Sequence, residues 1–85
     1  YPNPFNPSTQ TDFSLAAETD VQLVVYDVLG QMIRTLLPSQ TTPAGFYSVG
    51  WDGRDSAGRP VGNGLYFYRL TTPRFADTGR MMMLK

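Results

Sequence analysis

Apolar and polar residues alternate with a period of two along much of this chain, most clearly across residues 21–37. Val21, Leu23 and Val25 alternate with Gln22, Val24 and Tyr26, which predicts a strand with one buried face. Asp27, Val28, Leu29 and Gly30 form a tight connection into a second apolar arm that ends at Leu37. Gly30 supplies the positive φ that a short hairpin connection needs. Val28, Leu29, Met32, Ile33, Leu36 and Leu37 also recur at spacings of three and four, as one face of a helix would. Against that reading, Gly30 costs a helix about 1 kcal/mol relative to Ala, and the run is short for a helix. The hairpin is preferred, with the other strands as its partners.

The rest of the chain follows the same logic. Residues 1–8 carry prolines at 2, 4 and 7, which predicts an extended lead-in segment, with Tyr1 and Phe5 packed on the domain edge. Residues 9–16 set Thr11, Phe13 and Leu15 against Asp12 and Ser14, a half-buried first strand. Residues 17–20 read as a polar turn, and residues 38–44 as a loop in which Pro38 stops the preceding strand. Residues 45–51 place Tyr47, Val49 and Trp51 on one face; residues 52–64, with four glycines, read as a turn-rich loop with room for one bulged pair. Residues 65–72 place Tyr66, Tyr68 and Leu70 opposite Leu65, Phe67 and Arg69. After a turn through Pro73, residues 78–84 close the sheet. About seven short antiparallel strands at this spacing predict an all-β sandwich.

Eighty-five residues make one domain that buries only about 60–65% of its unfolded surface. There is no cysteine, so neither disulfides nor thiolate metal sites contribute, and their absence leaves the compartment open. Seven basic residues balance seven acidic ones with no basic run, which removes the usual electrostatic footprint for nucleic acid. The chain opens on Tyr1 with no initiator methionine, leader or membrane-length apolar run, and reads as a module of a longer protein.

Candidate chemistry is sparse. Without histidine or cysteine, the commonest general base and the strongest nucleophile are both missing. Serines 8, 14, 39, 48 and 56 sit in no nucleophile elbow, and Asn6-Pro7-Ser8 is no glycosylation site because proline stands in the middle. Asp52 and Asp55 are a close carboxylate pair away from the termini. They suit turn chemistry better than glycoside hydrolysis, and offer weak calcium ligands, since Gly53 and Arg54 break the EF-hand pattern. Tyr47, Trp51, Tyr66 and Tyr68 would serve as a sugar platform if exposed, but their alternating positions fit a core. No catalytic residue, cofactor or resident metal is expected.

Four segments in order carry a resemblance: YPNPFNPST (1–9), VYDVLGQMIRTL (25–36), GWDGRDSAGRPVGNGLYFYRL (50–70) and GRMMMLK (79–85). Together they resemble the C-terminal sorting domain of the type IX (Por) secretion system, and the core is similar to the immunoglobulin-like domain of the flagellar hook-capping family. The resemblance spans residues 1–85. It implies an immunoglobulin-like or fibronectin-like sandwich of about seven strands at the C-terminus of a secreted host, often a hydrolase. Such a domain carries its host across the outer membrane, and in many hosts a peptidase then joins the host to surface lipopolysaccharide. The implied sorting motifs are Tyr1, Pro2, Asn3, Pro4, Phe5, Asn6 and Pro7; Val25, Tyr26, Asp27 and Gly30; and Gly79, Arg80, Met81, Met82, Met83, Leu84 and Lys85. Lys85 is then the natural C-terminus. The implied partners are the outer-membrane secretion machinery and the enzymes of lipopolysaccharide attachment, with no nucleic acid, and the domain is a monomer at the cell surface or in the medium. A carbohydrate-binding module of a glycoside hydrolase and a structural immunoglobulin-like spacer are the alternatives.

Overall fold

The computed structural model describes residues 9–84, and the opening motif from Tyr1 to Pro7, Ser8 and Lys85 lie outside the described residues. Six strands stand among them: β1 (Thr9–Leu15), β2 (Thr19–Tyr26), β3 (Met32–Thr42), β4 (Gly45–Trp51), β5 (Gly64–Thr71) and β6 (Ala76–Met83). They form two antiparallel sheets, β1-β4 and β3-β2-β5-β6. The expectation of an all-β immunoglobulin-like sandwich is met, with six described strands where about seven were expected.

The alternation read from the sequence sets which residues face inward. β1 contributes Thr11, Phe13 and Leu15, and β4 contributes Tyr47, Val49 and Trp51. Opposite them, β2 contributes Val21, Leu23 and Val25, β5 Tyr66, Tyr68 and Leu70, and β6 Met81 and Met83. One cluster gathers Val25, Trp51, Tyr66, Met81 and Met83, and a second gathers Leu15, Val21, Leu23 and Leu70. Leu36 and Tyr68 touch both, so the core is continuous. Trp51 and Tyr66 meet edge to face at 5.1 Å between ring centroids, and Phe13 stacks on its register partner Tyr47 at 5.2 Å. Both geometries are those aromatic quadrupoles favour.

The β2–β3 hairpin forms, and no helix competes for its residues. Gly30 has φ +80°, a left-handed value that a residue with a β-carbon rarely adopts. Two sequence expectations give way here. β2 begins at Thr19, inside the stretch read as a turn, because Thr19 and Asp20 pair with Thr42 and Thr41. β3 also runs through Pro38 to Thr42 instead of stopping at it. β3 is an outer strand, and its register with β2 slips between the Val21–Gln40 and Leu23–Leu37 pairs, which bracket Pro38. A proline has no N–H to donate, and an outer strand with a bulge asks for none there.

The loop after β4 is folded back on β3. The backbone N–H and hydroxyl of Ser56 both donate to the Ile33 carbonyl, at 3.0 and 3.1 Å. Arg54 and Pro60 make an isolated antiparallel bridge in this loop, where the sequence left room for one bulged pair.

Candidate functional site

β5 lies between β2 and β6, so sequence-distant residues share transverse rows across the sheet. On the outer face Tyr26 pairs with Phe67 and Phe67 with Arg80; Met32 of β3 stands on the other side of Tyr26. The next row is Val24, Arg69 and Thr78, and beyond Phe67 toward the strand end Leu65 pairs with Met82. On the inner face the same register aligns Val25, Tyr68 and Gly79, then Tyr66 with Met81.

The two inner-sequence sorting motifs are thus brought together, separated by one strand, and each is divided between faces. Val25, Met81 and Met83 are buried in the core, and Gly79 faces the Tyr68 ring. Tyr26, Arg80 and Met82 face outward, and Met82 remains 57% exposed between two nearly buried methionines. Leu84 lies beyond β6 and is exposed.

The outer face is apolar at its centre. Tyr26, Leu65 and Phe67 are half-buried; Met32 is exposed beside them, as are Val28 and Leu29 on the hairpin tip. A shallow depression of about 420 Å³ opens beside Tyr26, Val28, Gly30, Phe67, Arg69 and Thr78. Asp27 shapes its rim: its Oδ1 accepts from the N–H groups of Leu29 and Gln31 at 2.9 and 3.0 Å, and its carbonyl accepts from Gly30 N–H at 3.0 Å. An aspartate that receives its own turn amides fixes the turn without help from the rest of the fold. Sequence reasoning passed over Phe67, Arg69 and Met32 as members of this surface. The signal was available in the parity of each strand, but the pairing of β2 with β5 was not.

The other candidates separate cleanly. Asp52 Oδ1 accepts from Arg34 Nη1 and from the Arg54 N–H, each at 3.1 Å. Asp55 Oδ1 accepts from the N–H groups of Ala57 and Arg59 at 2.9 and 3.0 Å, with the Arg59 guanidinium 3.7 Å from Oδ2. The Arg59 N–H foremost holds the Asp55 carboxyl below its usual value; desolvation opposes it, and the Ala57 N–H and the Arg59 charge add smaller lowering effects. Both carboxylates therefore serve the loop, and no cluster of three potential metal ligands occurs among the described residues.

Trp51 and Tyr66 are buried, and Tyr47 and Tyr68 are half-buried against the core, so these four form no sugar platform. Burial, and then the negative charge of Asp27, raise the pKa of Tyr66, whose hydroxyl donates to the Gly62 carbonyl at 2.8 Å. Trp51 Nε1 donates to the Arg54 carbonyl at 2.9 Å. Among the described residues the most exposed ring is Phe46, on the outer face of the small sheet, which the sequence reading did not single out. Ser14 and Ser48 lie on that same face, where Ser48 donates to Asp12 and accepts from Gln10.

The family model of the FlgD Ig-like domain matches residues 5–74. No curated protein sequence matches the chain. Among solved structures, FLGD from P. aeruginosa is 25% identical with a TM-score of 0.67, over 88% of this chain and 58% of that one. Dimeric latent PorU from Porphyromonas gingivalis is similar in fold, 21% identical with a TM-score of 0.69, over 100% of this chain and 9% of that one. The chain spans less than two thirds of either protein.

Proposed function

This chain belongs to the FlgD Ig-like domain family, and we propose that it is a non-catalytic C-terminal module that directs export of a host protein across the outer membrane by type IX secretion and its attachment to the cell surface. The observation that carries the reading is the position of β6. Its backbone is paired with β5 alone among the described strands, and it shares its rows with the hairpin that bears Tyr26 and Asp27. A strand edge with unpaired backbone groups is a template for a partner strand, and alternate side chains on it give specificity. The motif residues Tyr1 to Pro7 and Lys85 belong to this proposal on the strength of the sequence resemblance. Partner proteins of the secretion machinery and of surface attachment follow from the same reading.

The test is export of a fluorescent reporter fused to residues 1–85 in a bacterium with this secretion system. Reporter at the surface or in the medium is the expected result. A folded fusion held in the periplasm would overturn the proposal. Deleting residues 79–85 alone is a poor control, because it also removes the buried Met81 and Met83 from the core.

A further inference from the structure

On the outer face of the large sheet, Arg69 lies opposite Thr78 and Arg80 opposite Phe67, which makes the two arginines diagonal neighbours on adjacent strands. Such neighbours stand about 7–8 Å apart, within reach of long side chains, and like charges at close cross-strand positions repel. Nothing among the described residues of this face offsets that repulsion. The rows around the arginines hold Tyr26, Phe67, Val24, Thr78, Leu65 and Met82, none of them acidic. Asp27 at the rim has Oδ1 engaged by its own turn. Among the described residues neither guanidinium has a hydrogen-bond or ion-pair partner, whereas Arg34, Arg54 and Arg59 are each paired with Asp52 or Asp55. Two arginines unpaired among the described residues thus border a centre of half-buried rings and exposed methionines. That is the pattern of an interface, with aromatic, methionine and arginine side chains concentrated and acidic ones absent.

Resting on the sorting reading above, we propose that this outer face docks on a protein of the export machinery that sets carboxylates over Arg69 and Arg80 and apolar side chains over Tyr26, Met32, Phe67 and Met82. The charge complementarity commits the partner to an acidic surface. The half-buried rings at the centre of this face suit a protein surface better than insertion into lipid. The β6 edge and this face adjoin, so a partner strand added to β6 would continue the face and bring its own side chains beside Arg80 and Met82.

The test uses the reporter fusion to residues 1–85 with Arg69→Glu, Arg80→Glu, both together, and Arg74→Glu as a matched charge change in the β5–β6 turn. All three sites are exposed, and the thermal midpoint of each purified domain confirms folding. The double reversal is expected to lower exported reporter about tenfold or more, each single reversal a few-fold, and Arg74→Glu not at all. Normal export of the double variant overturns the inference and leaves the sorting reading standing. Equal loss with Arg74→Glu also overturns it, as an effect of overall charge. A wild-type fusion that is not exported overturns the sorting reading, and this inference with it. Flotation of the purified wild-type domain with vesicles of phosphatidylcholine and phosphatidylglycerol, lost on double reversal, would replace the protein partner by an anionic lipid surface.

Discussion

The phenol ring of Tyr68 occupies the space that a β-carbon on Gly79 would need. The two residues are direct cross-strand partners on the inner face of the large sheet. Gly79 has no positive φ, so the demand for glycine is steric and not conformational. Tyr68 in turn packs against both core clusters, which limits how far its ring can swing aside. Gly79→Ala is expected to destabilise the domain by about 1–3 kcal/mol, the usual cost of overpacking. In a Tyr68→Ala background the same substitution should become neutral or stabilising by about 0.5 kcal/mol, since an extended glycine is itself unfavourable. A double-mutant cycle by urea unfolding measures the coupling, and additive effects would contradict the contact.

Gly30 presents the opposite case. Nothing lies within 4 Å of the place where its β-carbon would be, yet its φ of +80° strains any other residue. Gly30→Ala should cost about 1–2 kcal/mol through the backbone alone, and truncating Tyr26 or Phe67 should not relieve it. Asp27→Ala should cost a similar amount, about 1 kcal/mol, by stripping the acceptor from the Leu29 and Gln31 amides. Asp27→Asn keeps a side-chain oxygen and should retain most of the stability. Thermal midpoints of the three variants separate strain from capping.

How much of this was legible in the sequence depends on the range of the interaction. Asp27 and Gly30 announce the hairpin within four residues, and the parity of residues 9–15 and 45–51 sorts buried from exposed positions correctly. Pro38 misled because a local rule, that proline ends a strand, yields to tertiary context: β3 is an outer strand and its register slips where Pro38 falls. The apposition of Tyr26, Phe67 and Arg80 depends on β2 and β6 both choosing β5. The β2–β5 partners lie 41–49 residues apart in sequence, and no local pattern encodes that pairing.

Trp51 reports on the core directly. Trp51→Ala removes a fully buried indole and should cost about 3–5 kcal/mol, enough to leave so small a domain largely unfolded. Trp51→Phe should be milder, because the edge-to-face contact with Tyr66 can persist while the Arg54 carbonyl loses its Trp51 donor. Quenching of Trp51 fluorescence by iodide should be weak in the native domain. Strong quenching, or a fluorescence change on adding soluble polysaccharides, would argue that the ring is exposed.

Asp55 should give the domain an acid-sensitive component. Its folded pKa lies below the ordinary carboxylate value of about 3.9, so the unfolded chain takes up its proton first as pH falls. The stabilisation is therefore complete above about pH 5 and is lost as pH falls through the folded value. Asp55→Asn cannot ionise and should lack this component. The thermal midpoint of wild type minus that of Asp55→Asn is expected to fall as pH drops below about 5; a difference independent of pH would show that the Arg59 and Ala57 amides do not favour the charged form.

Three consecutive methionines make a final test that separates folding from recognition. Met81 and Met83 are buried on the inner face, and Met82 projects from the outer one. Met81→Asp places a carboxylate among Val25, Trp51 and Tyr66 and should unfold the domain. Met82→Asp should leave the thermal midpoint within a few degrees, because an exposed substitution typically changes stability by only about 0.5 kcal/mol. The second variant also sets a negative charge in the row next to Arg80, where it offers the guanidinium a partner within the chain. Export of the reporter should then fall although the fold is intact. A folded Met82→Asp domain exported at the wild-type level would mean that the secretion machinery reads the sandwich elsewhere than on this face.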